Sequence, residues 1–71
     1  MKDGISSKLN ETIDKLIAEH DKFRGEMKVL MEEDMAYIDR GWLKDVSTRA
    51  QKMVRLSQRI DELINELDNQ G

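Results

Sequence analysis

The sequence predicts an all-α fold, an antiparallel hairpin of two long amphipathic helices that self-associates into a four-helix bundle. Three observations carry this prediction. Proline is absent, aromatics are 4 % and charged residues 38 % of the 71-residue chain, a composition suited to long helices rather than to sheets or barrels. The apolar residues recur in steps of three and four, the spacing of a helix face, and not in the steps of two that a strand needs. One internal segment, Asp39-Arg40-Gly41-Trp42, carries a strong stop signal and divides the chain into two such patterns. At this length residues 1–71 make a single domain, close to the size where one core barely offsets chain entropy. With no cysteine to form a disulfide, association is the remaining way to enlarge that core.

The first helix is expected over about residues 6–39. Ile5, Leu9, Ile13, Leu16, Ile17, Phe23, Met27, Leu30, Met31 and Ile38 form its stripe, and Ser6 or Ser7 caps its start. Gly25 lies on the polar side, where a break would turn the hairpin into a three-helix variant. The turn is expected near 40–44, with Gly41 left-handed just past the helix end and Trp42 folding back onto the last turn.

The second helix is expected over about 45–68. Leu43, Val46, Ala50, Met53, Ser57, Ile60, Ile64 and Leu67 alternate steps of three and four in coiled-coil fashion. Thr48-Arg49-Ala50-Gln51 has capping-box spacing, so the start falls between Leu43 and Thr48. Trp42, Leu56 and Leu63 flank the seam on one side and Val54 on the other. That stripe is wider than a two-stranded seam requires and implies more than one neighbouring helix. Basic residues fill the first part of this helix and acidic ones its end, against the helix dipole. An antiparallel hairpin compensates by setting the basic part beside Glu26, Glu32, Glu33, Asp34 and Asp39, and the acidic end beside Lys8, Lys15 and Lys22.

Several function classes are disfavoured. A net charge of −3 argues against general nucleic-acid affinity, and Lys52, Arg55 and Arg59 lack interleaved stacking aromatics. No metal site or cofactor is expected. Glu32-Glu33-Asp34 point in different directions on a helix, and His20, alone and within the stripe, reads as a partly buried core histidine. No stretch approaches a membrane span and the beginning lacks a signal-peptide apolar run, so a cytoplasmic location with no membrane partner is expected.

With no self-sufficient site, the sequence points to a non-enzymatic helical interaction module, an adaptor, chaperone or small regulator that pairs as a homodimer, with another protein, or both. Its partner-binding residues are expected at Leu43, Val46, Met53, Ile60, Ile64 and Leu67, with Phe23 and Trp42 as anchors. Met27, Met31, Met35 and Met53 read mostly as core filling, while Met35 off the stripe points to exposed apolar surface.

One segment carries a more specific signal. Val54-Arg55-Leu56-Ser57-Gln58-Arg59-Ile60-Asp61-Glu62-Leu63-Ile64-Asn65 resembles the signature helix of the small two-helix aspartyl-phosphate phosphatases that regulate sporulation, whose hallmark reads Ser-Gln-Glu-Leu-Asp ahead of a leucine-rich turn. The resemblance covers about a dozen residues, with Arg59 and Ile60 in place of the family's acidic residue and leucine. It implies a helix that docks on a phosphorylated response regulator, with Ser57 opening the motif. Gln58 and Asp61 would then act as catalytic residues orienting the attacking water, a role of positioning that suits phosphoryl transfer.

Overall fold

The computed structural model describes the backbone of residues 2–70 and the side chains from residue 4 onward. Helix α1 runs Lys2–Glu32 and helix α2 runs Arg40–Gln70, 31 residues each, with a short 3₁₀ turn at Met35–Tyr37 between them. The helices lie side by side in a rod of 52 × 15 × 15 Å. Since 31 residues span about 46 Å, the length is that of one helix and the hairpin is fully paired. The all-α antiparallel hairpin expected from the periodicity is therefore the fold.

The boundaries differ from expectation in an instructive way. The turn lies earlier than 40–44, because Asp34 and Ile38 adopt extended backbone conformations that end helical winding on either side of the 3₁₀ turn. The Asp34 carboxylate accepts from the Ala36 N–H at 3.0 Å, and Asp34 and Met35 carbonyls accept from Tyr37 and Ile38. Asp39-Arg40-Gly41-Trp42 then starts a helix instead of stopping one. The Asp39 side chain accepts from the Trp42 N–H at 3.0 Å, and its carbonyl takes the first helical bond, from Leu43 at 3.1 Å. Gly41 has no positive φ; a Cβ there would come 2.9 Å from the capping oxygen of Asp39, so the glycine makes room for the cap.

Other expected signals are absorbed within helices. Gly25 sits inside an unbroken α1, which removes the three-helix variant, and Ser6 and Ser7 lie inside it as well. Thr48 donates its hydroxyl to the Lys44 carbonyl at 3.0 Å from within α2. α2 continues beyond residue 68 to Gln70, and Gly71 lies outside the described residues.

Asp39→Ala should cost about 1 kcal/mol, the usual value of an N-cap, and lower the denaturant midpoint, whereas Asp39→Ser should keep most of it. Paired urea titrations of the three chains check this.

The core is thin. Of the described side chains only Ile5, Val46 and Leu63 are buried, with Leu63 wholly inaccessible. Leu9, Leu16, Phe23 and Leu30 of α1, and Met53, Leu56, Ile60 and Leu67 of α2, are half-buried around them.

Candidate interaction surface

Three adjacent heptad columns of α2 are apolar or small except at Arg49, namely Trp42, Arg49, Leu56 and Leu63; Val46, Met53, Ile60 and Leu67; and Leu43, Ala50, Ser57 and Ile64. The structure decides which two face α1. Leu63 is fully buried, Leu56 half-buried, and Arg49 bonds across to α1, whereas Ser57 and Ile64 are exposed. The first two columns therefore close the hairpin and the third looks along one of its flanks. Leu56 and Leu63, expected as flanking residues, are part of the seam; Ser57 and Ile64, expected within it, are outside.

The two flanks of the hairpin differ in chemistry. One carries the cross-helix ion pairs. Arg49 donates from Nε to Glu26 at 2.8 Å and from a terminal nitrogen to Glu19, and Lys52 donates to the other Glu19 oxygen at 3.2 Å. Glu19 and Glu26 are one heptad apart on α1, so the single guanidinium bridges two of its turns. Both carboxylates are 13 % exposed, which makes the cluster a polar layer of the seam and not a solvated surface pair. The Lys52 ammonium and the Arg49 guanidinium together hold the Glu19 carboxyl below its ordinary value, outweighing the desolvation that would raise it. Glu26 answers the expected charge match with the second helix; Glu19 is a partner that the charge pattern alone does not single out.

A pH dependence results. The folded Glu19 pKa lies below the unfolded one, so the stabilisation is complete above the ordinary glutamate value and is lost as pH falls through the lowered value. Denaturant midpoints of wild type and Glu19→Gln should differ most at neutral pH and converge on acidification through that range.

The other flank is apolar. A groove of about 500 Å³ runs along it, with Phe23 of α1 and Ala50, Met53 and Val54 of α2 as its walls. Ser57, Gln58 and Asp61 continue it toward the C-terminus. Val54 is 55 % exposed on its rim and Ile64, further along, 49 %. Ile17 of α1 is 54 % exposed, and helical geometry turns it to this same flank, since Glu19 marks the opposite edge of the α1 seam. Ile13 and Met27, both half-buried, share the flank.

The residues singled out from sequence divide accordingly. Val46 is buried inside the hairpin, and Met53, Ile60 and Leu67 are half-buried against α1. Phe23 reaches both seam and groove, Ile64 faces outward, and Leu43 and Trp42 are half-buried near the start of α2. Gln58 and Asp61 come together with Ser57 along the groove, while Arg59 pairs with Glu62 at 3.1 Å. His20 is exposed and not the expected core histidine; Ile17 and Met31, expected in the stripe, are exposed too, as the seam is only two columns wide. Met35, off the stripe, is 60 % exposed.

Among the described residues, no cluster of three metal-ligating side chains occurs and no helix is long and apolar enough to cross a membrane. Comparisons with protein-family models, curated proteins and solved structures find no match.

Proposed function

We propose that this chain is a helical protein–protein interaction module that works by closing its apolar flank against another helical surface, as an adaptor, chaperone or small regulator does. One observation carries the reading. The hairpin leaves an apolar groove uncovered on a defined side, with Val54 and Ile17 about half exposed beside it and Ile64 half exposed beyond Ser57, Gln58 and Asp61, while its opposite side is charged and internally paired. Isolated exposed apolar residues are ordinary on any surface, but apolar residues that line a groove beside a core of three buried side chains among those described support the reading of a face open to contact.

Ile60→Asp does not test this, because Ile60 also belongs to the seam that closes the hairpin. Val54→Asp and Ile64→Asp do. Wild type should either associate on sedimentation equilibrium or bind an apolar dye as a monomer, and both behaviours should fall away in the two variants while helicity is kept. A fully helical wild-type monomer that neither associates nor takes up dye would overturn the reading.

A second reading has its own support in the grouping of Ser57, Gln58 and Asp61 along one groove beside apolar docking surface. On it, the module is a phosphatase for a phosphorylated response regulator. The groove would seat the regulator, and Gln58 and Asp61 would hold water in line with the acyl phosphate. Gln58→Ala and Asp61→Ala would then keep the fold and abolish phosphate release. A wild-type chain that leaves the lifetime of response-regulator phosphates unchanged overturns this second reading alone.

A further inference from the structure

We propose that the occupant of the apolar flank is a second copy of the same chain, docked with its α2 antiparallel to the first α2 across a two-fold axis beside Val54. This rests on the interaction-module reading and adds the partner and its register.

The area calls for a partner of about this size. The hairpin exposes 5637 Å². A compact monomer of 8.3 kDa exposes about 4,600 Å², so the chain carries about 1,000 Å² in excess. A standard interface takes about 800 Å² from each partner, so one such contact restores ordinary compactness.

The sequence of the flank identifies that partner as the chain itself. A two-fold interface pairs residue i with j and j with i, so the surface has to match its own reverse. The outward column reads Leu43, Ala50, Ser57, Ile64, large, small, small, large, and is symmetric about a point between residues 53 and 54. Reversed on itself, it sets Leu43 against the partner's Ile64 and Ala50 against the partner's Ser57. Val54 stands at the centre, an exposed knob between two small side chains that leave a groove. The antiparallel partner fills each groove with the other copy's Val54, as knobs enter holes in a coiled coil. A larger residue at 50 or 57 would close the hole, and a parallel pairing would set Leu43 on Leu43 and leave Ala50 facing Ala50 across a gap.

Charge supports the same direction. Arg40 and Lys44 open α2, and Asp61, Glu62, Glu66 and Asp68 close it. Antiparallel copies oppose these ends, whereas parallel ones stack like on like. Ile17 of α1, on the same flank, extends the contact to the neighbouring helix pair and completes a four-helix bundle.

The chain has no cysteine, which allows single-cysteine mapping on the intact protein. Val54→Cys should form a disulfide-linked dimer under mild oxidation, because the two copies of this position meet at the axis. Leu43→Cys and Ile64→Cys should stay unlinked alone, being about 31 Å apart along the helix, and should link when mixed. Wild type should sediment as a dimer, which keeps the test independent of whether a cysteine variant folds. Equal linking of Leu43→Cys or Ile64→Cys with itself overturns the antiparallel register. A wild-type monomer that binds apolar dye overturns the second copy as occupant and leaves the interaction module standing; a monomer that binds none removes both.

Discussion

Leu63→Ala should destabilise the chain by about 2–5 kcal/mol, while Ile64→Ala, one residue on, should cost about 1 kcal/mol or less in the isolated hairpin. Leu63 is the only side chain among those described with no exposed surface, and truncating it leaves a cavity where α1 and α2 meet. Ile64 is 49 % exposed and loses mainly contacts along its own helix. Since small domains are stable by only about 5–15 kcal/mol, and among the described residues Leu63 shares the buried core with just Ile5 and Val46, the first substitution takes a large fraction of the total. The ordering should invert for association. Ile64→Ala removes apolar surface from the outward column and should weaken self-pairing at concentrations where the fold is unaffected. Urea titration at low concentration reads the first effect and sedimentation equilibrium the second. Equal urea midpoints for the two variants would mean that Leu63 is not the centre of the seam.

This pair also shows how much of the structure is legible in the sequence. Periodicity alone shows that three columns of α2 are mostly apolar or small, but it does not say which two columns face α1. Leu43, Ala50, Ser57 and Ile64 make as regular a pattern as Trp42, Arg49, Leu56 and Leu63, and the latter contains an arginine that argues for solvent. The deciding contacts are non-local. Arg49 belongs to the seam because Glu19 and Glu26 meet it from α1, and a half-buried charge held by its partners scores as polar in any one-helix pattern. Glu19 and Glu26 stand in the column of Ile5 and Thr12, one heptad apart, and that repeat opposite an arginine is the signal in the sequence that points to the cluster. The turn is misplaced by sequence reading for a local reason. Gly41 fits the end of a helix as well as its first turn. Only the two aspartates tell these apart, with Asp34 capping the 3₁₀ turn after it and Asp39 capping the start of α2. The apolar flank is legible as a width of stripe, and its position depends on the seam being fixed first.

Arg49→Met should be among the most damaging single changes in the chain, and should be repaired by changing its partners. The substitution preserves much of the side-chain volume but strands Glu19 and Glu26, each 13 % exposed, in the seam. Lys52 remains for Glu19 at 3.2 Å, so Glu26 bears the greater loss. Partly buried carboxylates without a partner cost more than the ion pair contributed, because desolvation is no longer offset. The triple variant Glu19→Leu, Glu26→Leu, Arg49→Met should therefore regain wild-type stability or exceed it. Its loss should be in discrimination. An arginine that satisfies two glutamates a heptad apart fits one register of α1 on α2, and a wholly apolar seam accepts neighbouring registers and additional helices. The triple variant should then sediment as a broader mixture with larger species, although it melts no lower. Stability of Arg49→Met equal to wild type at low salt would show that the cluster is solvated in solution. A triple variant that stays a single sharp species would show that shape alone, through Leu63 and its neighbours, sets the register.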